Sequence, residues 1–212
     1  MRIVCLSDTH GHHRTLSVPD GDLLVHAGDL TNTGSPDELA DVLGWFARLP
    51  HRHKVFIAGN HDWLFEVEPA AAVPLVPPGI HYLQDSGCVI EGLKVWGSPV
   101  QPTFLDYAFN RRRGADIDRH WAKIPAGTDV LVTHGPPHGK RDLVGGTEHA
   151  GCEMLRRRVL EVQPRLHVFG HLHEGHGVDL LGSTLLVNAA ICNDYGRPVN
   201  APITVNITTS PT

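Results

Sequence analysis

The chain has 212 residues, 41% of them hydrophobic and 19% charged, enough for one domain spanning 1–212 with a substantial core. A formal net charge of −5 is too mild to attract nucleic acid or repel acidic substrates by bulk electrostatics, and 6 Phe, 4 Trp and 3 Tyr offer no obvious base-stacking platform. The strong nucleic-acid signature of a broad basic groove is therefore missing.

In chain order, the first apolar run is Ile3-Val4-Cys5-Leu6, a short stretch with strand character that leads into Asp8 and His10 of DTH. The opening MRIVCLSDTH has no basic region before a longer apolar one, so no signal peptide is expected. Leu23-Leu24-Val25 leads into Asp29 of GD. Ser35-Pro36-Asp37-Glu38 then has capping-box spacing with proline at the first helical position. Leu39, Val42, Leu43, Phe46 and Leu49 follow at helical intervals, which predicts an amphipathic helix. Val55-Phe56-Ile57 leads into Asn60 of GNHD. Pro69, Pro74, Pro77 and Pro78 cut the apolar stretch at 69–80, excluding a membrane span there.

Short strands are expected at Cys88 to Ile90 and Leu93 to Trp96, then a helix from Asp116 to Ile124. Val130-Leu131-Val132 leads into His134 of THG. A third helix is expected from Glu148 to Val162, with Cys152, Leu155, Val159 and Val162 inward and Arg156 to Arg158 in solvent. Leu166-His167-Val168-Phe169 leads into His171 and His173 of GHLH, and strands are expected at Thr184 to Val187 and Ile203 to Ile207 before a frayed tail at 208–212. Strands alternating with helices, then hairpin-like strands, predict an α/β domain with a mixed sheet or two packed sheets. Cys5, Cys88, Cys152 and Cys192 lack CxxC spacing, which points to reduced thiols and a cytoplasmic location.

Five strand-like runs thus end in metal-type side chains at the same relative point. Side by side in one sheet, their ends converge on one crevice, where open α/β sheets bind ligands. Asp8 and His10 are two apart, as are His171 and His173, so in extended backbone each pair faces one way. Asp29 follows Gly28, whose turn leaves its carboxylate free to bridge two ions, while Asn60 and His134 add a carbonyl oxygen and an imidazole. Two carboxylates against two divalent ions leave a positive cluster that attracts phosphate, polarises phosphorus and lowers the pKa of bound water towards ~7. Imidazole and carboxylate ligands accommodate manganese, iron, zinc or cobalt, with availability deciding among them.

The motifs DTH, GD, GNHD, THG and GHLH, in this order, resemble those of the calcineurin-like metallophosphoesterase superfamily. IAGNHD, YLQDS, WGSPVQP, THGPP, QPRLHVFGHLHEGHGV and PVNAPI resemble its subgroup of metallophosphoesterase-domain-containing proteins through nearly the whole chain. The resemblance implies a four-layer α/β/β/α sandwich. It implies one metal on Asp8, His10, Asp29 and His173, and a second on Asp29, Asn60, His134 and His171, manganese first among candidates, with a bridging water or hydroxide as nucleophile. It also implies His61 as the acid that protonates the leaving oxygen, with Asp62 as its orienting partner. Protein serine/threonine phosphatases carry GDxVDRG where this chain has GDLTNTG, which removes their supporting aspartate and phosphate-holding arginine and argues against phosphoprotein substrates. The substrate implied is a cyclic nucleotide or similar small phosphodiester. The alternatives are a phosphomonoesterase, a nuclease, or a non-catalytic metal-binding scaffold.

Among the remaining candidates, His12 and His13 flank the first motif, Glu174 and His176 follow the last, and Phe104, Tyr107 and Phe109 are read as core before aromatic wall. Arg111-Arg112-Arg113 is read as a solvated basic run.

Overall fold

The computed structural model describes residues 1–208. The regular elements are β1 (Arg2–Leu6), β2 (Leu23–His26), α1 (Pro36–Arg48), β3 (His53–Phe56), α2 (Leu64–Val67), α3 (Pro69–Ala72), β4 (Ile80–Tyr82), β5 (Ser86–Ile90), β6 (Leu93–Ser98), β7 (Gln101–Pro102) and β8 (Asn110–Arg111). They continue with α4 (Ala115–Trp121), β9 (Val130–Thr133), β10 (Leu143–Val144), β11 (Glu148–His149), α5 (Glu153–Val162), β12 (Leu166–Phe169), β13 (Gly177–Leu181), β14 (Thr184–Asn188) and β15 (Ile203–Asn206).

Two large mixed sheets form the framework. The first runs β15-β1-β2-β3-β4, parallel except for β15, which pairs antiparallel with β1 on the edge. The second runs β13-β14-β12-β9-β6-β5, with four parallel central strands and an antiparallel strand on each edge. The five motif-bearing strands are therefore divided between two sheets, β1, β2 and β3 in one and β9 and β12 in the other. Convergence comes from packing the two sheets face to face.

The period-2 alternation of side chains accounts for this layering. Ile3, Cys5, Leu23, Val25 and Val55 on the first sheet share an inter-sheet core with Val95, Val130, Val132, Leu166 and Val168 on the second. Their sequence neighbours Val4, Leu6, Leu24 and Phe56 face outward onto Leu39, Val42, Leu43 and Phe46 of α1. On the far side Trp96, Leu131, Phe169 and Leu186 pack on Ile117 and Trp121 of α4 and Leu155 and Val159 of α5. Strands buried on both faces read as continuous apolar runs, and the result is the expected α/β/β/α sandwich.

The predicted capping box of α1 forms. The Ser35 hydroxyl accepts from Glu38 N at 3.3 Å, and Glu38 Oε2 accepts from Ser35 N at 3.4 Å. Helix α4 ends at Trp121 rather than Ile124. Helix α5 begins at Glu153, five residues later than expected, because Asp142 captures the preceding segment: its carboxylate accepts from Gly139 N, Gly151 N and His149 Nδ1 at 2.8, 3.0 and 2.7 Å. Residues 148–149 become the second strand of a small hairpin instead. Arg156 and Arg158 are not free in solvent, since their guanidinium groups donate to the carbonyls of His138 and Ile124. The tail expected to fray lies outside the described residues except Thr208, which accepts two hydrogen bonds from Arg165. No helix among the described residues is long and apolar enough to cross a membrane.

Candidate metal centre

All seven side chains read as ligands come from loops at the carboxyl ends of five strands, and three clusters of possible metal donors form there. These are Asp8–His10–His173, His10–Asp29–His61 and Asp8–Asp29–His134, each with its donor atoms within 4.8 Å of one another. Asn60 and His171 close the set, with Asn60 Oδ1 2.7 Å from His134 Nε2 and the His171 ring 4.9 Å from the His134 ring.

The backbone is bent to present these groups. Asp8, His10, Asp29 and His171 all have positive φ, at 54°, 41°, 55° and 66°. Left-handed backbone at a non-glycine residue costs ~1–2 kcal/mol, and four such residues in one cluster are strain held by the surrounding fold. Gly28 has φ of 100°, and a Cβ there would lie 2.6 Å from His134 Nδ1, so the close approach of the two sheets requires glycine.

Hydrogen bonds fix the ring tautomers. His134 Nδ1 donates to Ala27 O at 2.9 Å, so its Nε2 lone pair points at Asn60 Oδ1 and at Asp29 Oδ2, 3.4 Å away. His173 Nδ1 donates to Asn193 O at 3.0 Å, turning Nε2 towards Asp8 Oδ1 and His10 Nε2, both at 3.4 Å. Asp29 Oδ2 lies 3.7 Å from His10 Nε2 on its other side, between the two groups of ligands. Lone pairs thus face lone pairs across both halves of the cluster. Such an arrangement is stable only around protons or cations, and the donor set of imidazole nitrogens, carboxylate and amide oxygens suits divalent transition metals.

The titration behaviour carries the same message. Against burial, which lowers it, the charge and hydrogen bond of Asp29 push His134 up to about 9. Against burial again, Asp8 pushes His173 up to about 9. Although burial alone would raise them, His173 holds Asp8 and His134 holds Asp29 below the usual carboxylate range. Burial pushes His171 down to about 3, leaving a neutral imidazole ready to ligate. The protons on His134 and His173 occupy the role that cations fill in a metal site.

His61 lies against the cluster, its ring centroid 4.8 Å from that of His10 and 4.9 Å from that of Tyr107. Its Nδ1 donates to Asn32 O at 2.8 Å and its backbone N–H to Asp29 Oδ1 at 2.8 Å. The expectation that Asp62 orients His61 is corrected here. Asp62 is 1% exposed and accepts from Gly59 N, Leu30 N, Thr31 N and the Thr31 hydroxyl at 2.8, 3.2, 2.9 and 2.6 Å. It ties the GD loop to the GNHD loop, and burial, with the charge of Asp29, pushes its carboxyl up to about 6. The Asn32 carbonyl takes the orienting role. The signal lay in GDLTNTG, where Asn32 stands at the position of the protein phosphatases' supporting aspartate.

Above the cluster opens a cavity of about 700 Å³, bordered by His12, Asn32, Glu38, Phe104, Tyr107 and Asp194 besides the metal-type residues. Sequence reading missed Asn193 and Asp194, which follow β14; that strand lies parallel to β12, so its loop reaches the same end of the sheet. Phe104 and Tyr107 form the aromatic wall, whereas Phe109 is fully buried core. His13 is buried 3.2 Å from Asp41. Glu174 accepts from Gly145 N, and His176 bonds Ala201 O. Arg112 and Arg113 are exposed as expected, Arg113 pairing with Glu153 at the surface, whereas Arg111 is half-buried against Glu66.

Comparison with known proteins agrees with this geometry. The calcineurin-like phosphoesterase model matches residues 1–175. Metallophosphoesterase domain-containing protein 1 of Homo sapiens is 40% identical over 232 residues, covering 98% of this chain and 71% of that protein. The UPF0046 protein K07C11.7 of Caenorhabditis elegans is 37% identical over 216 residues, covering 96% and 74%. The crystal structure of TT1561 of Thermus thermophilus has a TM-score of 0.64 over 88% of each chain at 14% identity, a likeness of fold alone. With a family model spanning most of its length and relatives this similar, the chain belongs to the calcineurin-like phosphoesterase family of metal-dependent hydrolases.

Proposed function

We propose that this protein hydrolyses small phosphodiesters, cyclic nucleotides among them, at two divalent cations held by Asp8, His10, Asp29, Asn60, His134, His171 and His173, with manganese the first candidate. The observation that carries this reading is the wall of the cavity, which among the described residues no lysine or arginine lines and on which Glu38 and Asp194 stand. Against slight burial, hydrogen bonds from Thr33 and Ser35 hold the Glu38 carboxyl below its usual range, so it is ionised at neutral pH. A phosphomonoester carries close to two negative charges at pH 7 because its second pKa is ~6. A diester carries one, and a wall with fixed carboxylates and no fixed cations favours the singly charged ester.

Bound cations at such a cluster polarise the phosphoryl group and lower the pKa of a coordinated water towards ~7. The protein supplies the remainder. Anchored through Nδ1 on the Asn32 carbonyl, the His61 ring presents Nε2 as the atom that hands a proton to the leaving oxygen, a contribution of ~10²–10⁴-fold. Tyr107 packs on that ring and limits its rotation. The four cysteines are unpaired, which supports a reducing cytoplasmic setting.

Metal-free protein reconstituted separately with manganese, iron, zinc and cobalt tests this reading. The substrates are bis(p-nitrophenyl) phosphate, p-nitrophenyl phosphate and a cyclic-nucleotide panel that includes 2′,3′-cyclic AMP. The expected result is a kcat/KM for diesters above that for the monoester. A clear preference for the monoester sinks the substrate class.

A further inference from the structure

Beside the metal cavity lies a second one of about 390 Å³, within the ~300–1,000 Å³ range of small-molecule pockets, and it shares Phe104 and His171 with the first. Its other walls come from the segment after β7, the THGPP turn after β9 and the β10–β11 hairpin. The two spaces thus adjoin at Phe104 and the metal-type His171.

Much of the hydrogen-bonding capacity of its lining is already spent within the protein. The Arg113 guanidinium donates to Gly151 O, Ala150 O and Glu153 at 2.8, 2.7 and 2.7 Å. The N–H groups of Thr103, Gly151 and Leu172 are committed to Arg111 O, Asp142 and Gly170 O. Pro136 has no N–H, and its carbonyl accepts from Cys152 N. What remains exposed is largely carbon, from Pro102, Val144, Leu172 and the face of Phe104, with the Glu148 carboxylate beside it.

We infer that this cavity receives an uncharged, apolar ester group of the diester whose phosphorus sits at the metal cluster. The inference rests on the diesterase reading and narrows it. A nucleobase placed here finds few partners for its donors and acceptors on a wall that is largely carbon, which disfavours it. A second phosphate meets the Glu148 carboxylate, and the one guanidinium on the wall, that of Arg113, is already paired with Glu153. An alkyl or aryl alcohol leaves nothing unpaired and gains by leaving water.

Calorimetric titration of the manganese-reconstituted protein with dimethyl phosphate and diphenyl phosphate tests this, since both are monoanionic diesters that differ only in ester group. Diphenyl phosphate is expected to bind about 10- to 100-fold more tightly, the scale of burying a phenyl-sized group. Val144→Trp and Thr103→Phe each fill the space and should bring the two affinities towards parity. Val144 is 42% exposed on a two-residue strand, so this change does not enter the core, and a melting curve checks each variant. Equal affinities in the unmodified protein, or a preference retained in the folded variants, overturns the ester subsite and leaves the diesterase reading standing. Failure of both diesters to bind overturns that reading and the subsite with it.

Discussion

Gly170→Ala is the sharpest test of how the two sheets build the centre. Gly170 follows β12 and directly precedes His171, and a Cβ on it would lie 1.9 Å from Asp8 Oδ2 and 2.2 Å from Ser7 Oγ. Ordinary contact begins at 3.4 Å, so the carboxylate has to retreat by 3.4 − 1.9 = 1.5 Å, or the β12 loop must swing away. Asp8 is fully buried, and both its oxygens accept from His171 N at 3.1 and 3.0 Å, so either movement breaks the junction between the sheets. A functional site tolerates displacements of only ~0.5 Å, about a third of what the methyl demands. Overpacking alone costs ~1–3 kcal/mol. At ~2–4 °C per kcal/mol for a chain of this size, the melting temperature should fall by roughly 2–12 °C. Elemental analysis after reconstitution and dialysis should find less than the two equivalents of divalent metal expected of the parent. The rise in melting temperature on adding metal should shrink with it. Gly44→Ala is the control: in mid-α1 its nearest neighbour is Arg48 Nη1 at 3.6 Å, and the change should stabilise by ~0.5–1 kcal/mol. If Gly170→Ala keeps both metal equivalents and the parent's melting behaviour, the proposed role of Asp8 at the sheet junction is wrong.

Asp29→Ala should prevent binding of a complete metal pair, whereas His61→Ala should keep its metals and lose ~10²–10⁴-fold in rate on substrates with poor leaving groups; full activity of His61→Ala on such substrates removes its acid role. Asp62→Asn puts an amide donor against an inward set of N–H and O–H donors, so a loss of ~2–5 kcal/mol in chemical denaturation is expected, and an unchanged midpoint contradicts the loop-tying role. Burial pushes His167 down to about 3 from 6.5, so it stays neutral when folded and takes a proton when unfolded below pH 6.5. The resulting stability is fully present above 6.5 and is lost as pH falls towards 3, by about 2 kcal/mol at pH 5 relative to pH 7.5. His167→Gln should flatten that part of the pH–stability curve; an equal slope in both proteins places the acid sensitivity elsewhere.

The strands of the centre and the residues at their ends were legible in the sequence because both leave local marks. Doubly buried strands are short unbroken apolar runs, as at Val130–Thr133, and the polar triplets after them have no packing reason to recur five times. Helix α1 was equally readable, since Ser35, Pro36 and Glu38 state its start within four residues. Sequence alone misjudged α5, where a favourable helical pattern from Glu148 lost to the three hydrogen bonds that Asp142 makes to the chain ahead of Glu153.

Other features belong to the tertiary structure because their partners are remote in the chain. Five parallel-looking strands do not reveal whether they share one sheet, and only the packing of β1, β2 and β3 against β9 and β12 places Asp8 beside His173 and Asp29 beside His134. The orienter of His61 is a backbone carbonyl, so the motif position of Asn32 marks the place but its side chain does not name the group, and the neighbouring carboxylate of Asp62 was the more visible but wrong candidate. The largely apolar side cavity likewise arises only where three separated segments meet. Residue types and spacing determined which atoms are available for chemistry; the distances between them follow from long-range packing, which local sequence does not encode.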